Sequence, residues 1–246
     1  MDIFKEKNIG VYVVHAPVGY ETAGKYVIKL FAKHGIDFVF VNENLLPINE
    51  EQAIQKYFVP EIREIVTRGG IFCSLSHIAC YEQLIKDEYK YAIIFEDDPC
   101  FLGDFNKDIV KIINEMESLP ESFMISLENS TLEFPPRKSL IKGKHIYPAA
   151  HGRCAGAYII DKQSAINMLE STKVSPAHLI IDWWHNDLHN RGIIQHYWAH
   201  KPLVEQASLN GKAVAAKSCK KGGWRRRISW ILQKFYKSNI LRYFRN

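Results

Sequence analysis

Apolar residues along the chain alternate between short β-branched runs and longer stretches where they recur at helical spacing. Asn8 to Ala16 (NIGVYVVHA) reads as a buried strand closed by Pro17, Val18 and Gly19, and the pattern turns helical from Glu21 to His34. Gly35 stops that helix and IDFVFVNE forms a second strand. The chain thus opens strand, helix, strand, the order in which helices cover a largely parallel sheet. Pro47 to Thr67 is helical with a break at Pro60. Ile71 to Glu88 is a long helix with Leu75, Ile78, Ala79, Leu84 and Ile85 on overlapping apolar spacings, and YAIIF returns as a third strand. Phe101 to Glu117 is predicted helical and Phe123 to Leu127 extended, and the Pro135-Pro136 turn opens a less regular region. AGAYII is a strand leading into a helix from Asp161 to Ser171. IIDWWHNDLHNRG is a helix ending at Gly192, and IIQHYWAH is the last strand. The class is α/β, with no internal repeat and a compositional bias only in the tail.

Composition narrows the setting. A chain of 246 residues, 47% hydrophobic and 12% aromatic, can bury a full core, which excludes disorder of the whole chain. The opening MDIFKEKNIGVYVVHA carries acids and too short an apolar run for a secretory leader, and no stretch of about 18 apolar residues occurs, so the expected location is cytoplasmic. Cys73, Cys80, Cys100, Cys154 and Cys219 are odd in number and lack a Cys-x-x-Cys pair, which suits reduced thiols. The NST at Asn129 is then a sequon without a glycosylating compartment.

The net charge of +5 conceals a split. Residues 217–246 hold 10 Lys and Arg and no acid, leaving 22 basic and 27 acidic side chains in residues 1–216, a sum of −5. Two domains are therefore expected: a catalytic domain over residues 1–216 and a basic tail over residues 217–246. In the tail Trp224, Ile228, Ile231, Leu232 and Phe235 gather on one helical face, which suits a helix lying in an anionic membrane interface. A nucleic-acid arm and a plain core helix are the alternatives. The abundance of Ile, Leu, Phe and Trp argues against the first, and no nucleic-acid partner is expected.

Three consecutive carboxylates, Glu96, Asp97 and Asp98, stand directly behind the apolar YAIIF strand. Side chains alternate along a strand, so Glu96 and Asp98 project together and Asp97 faces away. Two carboxylates converging beyond the carboxyl end of a strand suit a hard divalent cation shared with phosphate oxygens. A solvated acidic turn capping the next helix is the alternative.

GIFCSLSHIACYEQLI followed by YKYAIIFEDDPCF resembles glycosyltransferase family 25, the bacterial lipooligosaccharide galactosyl- and glucosyltransferases. Cys73, Leu75, Ser76 and His77, then Glu96, Asp97 and Asp98, carry the likeness, and GAYIIDKQSA and IDWWHNDL resemble later blocks of the family. Phe72 stands where the family has glycine, and VYVVHAPVGYETAGK lacks the arginines of the usual N-terminal block. The resemblance implies a GT-A-type nucleotide-sugar-binding sandwich with a mixed, mainly parallel central sheet, followed here by a basic amphipathic C-terminal helix. It further implies an inverting, metal-dependent transfer of a hexose, galactose from UDP-galactose, to a lipooligosaccharide acceptor at the inner face of the bacterial membrane.

By the same likeness, Glu96 and Asp98 hold Mn²⁺ or Mg²⁺ against the donor diphosphate, with Glu96 also a candidate for the ribose. His15 and Ala16 at the end of the first strand, with Ser76, His77 and Asp97, line the donor pocket. His196 and His200 are the candidates for completing the metal shell, and Arg153 for meeting phosphate. Asp182 is the candidate general base, beside Trp183 and Trp184, which could stack on a sugar; an N-cap aspartate with both tryptophans in the core is the alternative reading. Asp187 follows on the same helix with a weaker claim. Competing functions are a metal-dependent phosphoesterase and a non-enzymatic membrane- or nucleic-acid-binding module. The absence of Gly-x-Ser-x-Gly, of the Gly-x₄-Gly-Lys-Ser/Thr loop and of His-Glu-x-x-His removes three further classes.

Overall fold

The computed structural model describes residues 3–210 and 224–241. In chain order its elements are α1 (Ile3–Glu6), β1 (Ile9–Val14), α2 (Glu21–His34), β2 (Val39–Val41), α3 (Glu50–Tyr57), α4 (Ile62–Ile65), α5 (Arg68–Lys86), β3 (Tyr91–Glu96), β4 (Pro99–Phe101) and α6 (Phe105–Met116). There follow β5 (Phe123–Ser126), β6 (Ile146–Pro148), β7 (Ala157–Asp161), α7 (Lys162–Val174), α8 (Ile181–Asn190), β8 (Gln195–Ala199), β9 (Val204–Gln206), α9 (Ala207–Asn210) and α10 (Trp224–Phe235).

Seven strands form the central sheet in the order β2-β1-β3-β7-β5-β8-β6. Strands β1, β2, β3, β5 and β8 point one way, and β7 and β6 run against them, so the sheet is mixed and mainly parallel. The strands are apolar on both faces because both faces are covered. Tyr12, Ile94, Tyr158 and Ile160 pack with α3, α5, α7 and α8 on one side. Val11, Val13, Ile93, Phe95 and Ile159 pack with α2 and α6 on the other. The period of two along β3 decides the site: with Phe95 committed to the α2 and α6 face, Glu96 must emerge on the side of α5.

Local stops match their chemistry. Gly35 closes α2 with φ 65° in the left-handed region, and Asn49 caps α3 in a reciprocal capping box with Gln52. Helix α6 begins later than the expected Phe101 start: Phe101 ends β4, Gly103 turns the chain at φ 58°, and Asp104 caps the helix through Lys107 N. Nor is IIQHYWAH the last strand. β9 follows it and pairs antiparallel with β4 in a small two-stranded ribbon. The region after Pro135-Pro136, expected to be irregular, contains β6, an edge strand on β8 that ends at Pro148, a residue tolerated where no further ladder donor is needed.

The antiparallel β7 has a consequence for function. Its amino end lies beside the carboxyl ends of β3 and β5, which brings residues 152–156 to the edge where the acids emerge. The expected boundary between Ala216 and Lys217 falls outside the described residues. Helix α10 rests on the body through Lys234 Nζ on buried Glu205, Lys237 just beyond it donates to the Thr131 carbonyl, and its Ile228, Ile231, Leu232 and Phe235 are exposed. None of the described helices is long and apolar enough to cross a membrane.

Candidate active site

Five acids from three parts of the chain meet at the carboxyl end of the sheet. Glu96 ends β3, and its Oε2 accepts from Gln206 Nε2 at 2.6 Å across from β9. Asp97 faces away as the alternation requires, its Oδ2 2.7 Å from His15 Nδ1. His15 in turn lies against Gly24 of α2, where a Cβ would stand 2.8 Å from the ring. Asp98 is buried, with Oδ2 accepting from Ser208 N at 2.8 Å and its carbonyl from Ala207 N. Glu128, fully buried just beyond β5, accepts from Gly156 N at 3.0 Å and from Ser130 Oγ. Asp182, in the first turn of α8, accepts from Ala155 N at 2.6 Å.

These carboxylates raise one another. Burial, then the charge of Glu96, pushes Asp98 up to about 6, and the same two causes push Asp182 up to about 6. Burial raises Asp97, and burial lifts Glu128 well above the ordinary carboxylate range, with Glu96 and Asp182 adding to it. A fold that holds so many acids at the expense of their ionisation is short of positive charge at this point, and carboxylate oxygens are hard donors. The residues present therefore fit a hard divalent cation, with Glu96 and Asp98 as the strand-end pair to hold it.

Asp182 also lines a cavity of about 590 Å³, together with His151, Cys154, Trp183, Asn186 and Asp187. The two tryptophans divide: Trp184 is buried in the core, whereas Trp183 is 62% exposed on the cavity wall. Asp182 is not a helix cap. Ile180 holds that position, and the Asp182 side chain is spent on the Ala155 amide. Asp187 reaches the same cavity and pairs with Arg191 at 3.0 Å.

Other expected site residues lie elsewhere. Ser76 is buried with its hydroxyl on the Phe72 carbonyl and Glu43. Ala16 is exposed in the turn after β1. Arg153, expected to meet phosphate, is fully buried, donating to the Glu128 and Ala199 carbonyls with its guanidinium 4.6 Å over Trp198. His196 sits low on β8, level with Met124 of β5, with Nε2 on the His185 carbonyl, and burial lowers it to about 4. His200 packs edge-on against Tyr147. His196 lies toward the opposite end of the strand from the acids, and His200 follows β8 at its carboxyl end, its amide on the His145 carbonyl beside the edge strand β6. Glu128 and Gln206 were not anticipated. Glu128 follows FMISL just as Glu96 follows YAIIF, an acid behind an apolar strand, and that signal was present in the sequence. Among the described residues the cysteines are free, as expected, and Asn129 of the sequon is buried with its amide on Glu205.

The sequence profile of glycosyltransferase family 25 (LPS biosynthesis protein) matches residues 24–183. A provisionally named glycosyltransferase of Haemophilus influenzae is 29% identical over 164 residues, covering 64% of this chain and 56% of that protein. The lacto-N-neotetraose biosynthesis glycosyltransferase LgtE of Neisseria meningitidis serogroup B is 28% identical over 173 residues, covering 64% of this chain and 60% of that protein. The matched region thus spans less than two thirds of these relatives. Among solved structures, a glycosyltransferase involved in glycosylation of the major capsid of PBCV-1 aligns over 91% of this chain and 98% of its own, with TM-score 0.44 and 11% identity.

Proposed function

The chain belongs to glycosyltransferase family 25, and we propose that it is an inverting hexosyltransferase that uses a nucleoside diphosphate sugar, UDP-galactose in the first instance, to extend a lipooligosaccharide. One observation carries the reading: Asp182 forms the wall of the large cavity and is electrostatically joined to Glu96 at the strand end. That supports reading Asp182 as a proton acceptor between a space for an acceptor sugar and a carboxylate group suited to the donor.

In this reading the acceptor occupies the cavity, with a sugar face on Trp183. Asp182 takes the proton of the attacking hydroxyl, whose oxygen bonds to the anomeric carbon as the bond to the diphosphate breaks on the opposite face. The Ala155 amide fixes one Asp182 oxygen, and the Cys154 thiol also interacts with this carboxylate. The Gln206 amide holds Glu96 in place, and the Ser208 amide holds Asp98. Mn²⁺ or Mg²⁺ bound by Glu96 and Asp98 would supply positive charge to the departing diphosphate. The test is release of UDP from UDP-hexoses with a lipooligosaccharide acceptor, with and without Mn²⁺. Transfer that requires acceptor and is lost in chelator is the expected result. Hydrolysis of phosphate esters without sugar transfer would indicate a phosphoesterase instead.

The tail gives the enzyme a place to work. Residues 1–216 sum to −5 and would be repelled by anionic lipid, so attraction to the inner membrane face has to come from the 10 cations of residues 217–246. The exposed Ile231, Leu232 and Phe235 of α10 add apolar area for burial among headgroups. Replacing these three by Ser is expected to release the full chain from anionic liposomes in sedimentation although every cation remains. Unchanged sedimentation would show that the tail does not bind through this face.

A further inference from the structure

The helix α5 that covers the site carries Cys73 and His77 one turn apart, so both side chains point to the same place. Cys73 Sγ lies 3.9 Å from Glu96 Oε1, and His77 Nε2 lies 3.8 Å from the same oxygen. All three atoms fall within 4.8 Å of one another. His77 is fully buried, yet its Nε2 has no hydrogen-bond partner, and 3.8 Å to Glu96 is beyond hydrogen-bond length. We propose that Cys73, His77 and Glu96 form a binding site for one thiophilic divalent cation of the zinc class, separate in chemistry from the hard-cation position of Glu96 and Asp98.

Three features fit such an ion. Bond lengths of about 2.0–2.3 Å to N, O and S ligands in a tetrahedron separate neighbouring ligand atoms by roughly 3.3–3.7 Å, so the two spacings to Glu96, 3.8 and 3.9 Å, would need to contract by only a few tenths of an ångström. The far side of His77 is prepared. Its Nδ1 lies 2.7 Å from Tyr158 Oη, which is 2.9 Å from Tyr81 Oη, which is 2.6 Å from His185 Nε2. Run from His77 to His185, that chain puts the proton on Nδ1 and the lone pair on Nε2, the tautomer a metal requires, with the ring held by a second hydrogen bond. Finally, the charge of Asp182 acts on Cys73 and so adds to the negative surroundings of the site, whose fourth position would go to water. On binding, the Cys73 S–H bond is exchanged for an S–metal bond and the proton leaves to solvent.

Because Glu96 cannot serve both ions in full, a zinc-class cation would compete with the donor-binding ion, a consequence that rests on the proposed transfer reaction. The site itself does not rest on it. The test is titration of the full, reduced, metal-free chain with Co²⁺, followed by the thiolate-to-cobalt charge-transfer band in the near ultraviolet. One equivalent should develop the band, and Zn²⁺ should bleach it. Cys73→Ser should abolish it in a chain whose circular dichroism is unchanged, and Tyr158→Phe should weaken Co²⁺ binding about 10- to 100-fold by loosening His77. Asp98→Asn should keep the band, whatever its effect on transfer, which separates this site from the hard-cation site. Absence of the band in the folded wild-type chain would overturn the proposal, as would a band that survives Cys73→Ser.

Discussion

Asp98→Asn is expected to reduce sugar transfer at least about 100-fold and, in the same chain without metal, to raise stability at neutral pH. The two effects have one cause. Asp98 is buried beside Glu96, and its carboxyl is pushed from the ordinary 3.8 up to about 6. Between those values the folded chain keeps a proton that the unfolded chain has released. Stability therefore falls as pH rises through that window, and above about 6 the ionised group costs on the order of 2–3 kcal/mol. Asn preserves an acceptor for the Ser208 amide and removes the charge, so thermal unfolding at pH 7.5 should shift upward while the shift at pH 4 should be small. Asp182 is raised to about the same value, again chiefly by burial, so some of the pH slope survives in the variant. A chain that transfers sugar normally after the substitution, or that loses stability at pH 7.5, would show that this carboxylate is held for packing and not for a cation.

Much of the scaffold was legible because it follows from periodicity. The β1, α2, β2 opening and the long α5 appear where the apolar spacing places them, with Gly35 as the stop of α2. The alternation along YAIIFEDD also held, setting Glu96 toward α5 and Asp97 toward His15. What escaped was built from pieces too short to have a period. β4 and β9 have three residues each, yet their pairing brings Gln206 onto Glu96 and carries the Ser208 amide to Asp98. Glu128 is separated from Glu96 by one helix and two strands in sequence and by β7 in the sheet, so only the strand order unites them. Gly156 shows the tightness of the result: a Cβ there would lie 2.4 Å from Gln206 Nε2. The histidines misled for the converse reason. A residue near the end of the chain is not thereby near the end of a strand, and the register of β8 against β5 sets His196 level with Met124, well short of the acids.

Asp182→Asn is the substitution that should separate catalysis from binding. If Asp182 receives the acceptor proton, the variant should lose about 10²- to 10⁴-fold in kcat, the usual span for a general base, with the KM for the donor changed little because Glu96 and Asp98 remain. Asn can still accept from the Ala155 amide, so the loop from 152 to 156 should stay in place and the loss cannot be assigned to collapse of the cavity. The wild-type rate should rise with pH through about 6, the value to which burial and Glu96 push this carboxyl, since only the ionised form can take a proton. That is the reverse of the stability trend produced by the same group, so activity and stability should cross as pH increases: the chain grows less stable while its base becomes available. Steady-state rates and melting temperatures on one preparation from pH 4.5 to 8 would show the crossing. A flat rate profile with near-normal kcat in Asp182→Asn would move the base to Asp187, which shares the cavity but is paired with Arg191. An equal loss in Asp187→Asn with an unaltered Asp182→Asn variant would confirm that transfer of the role.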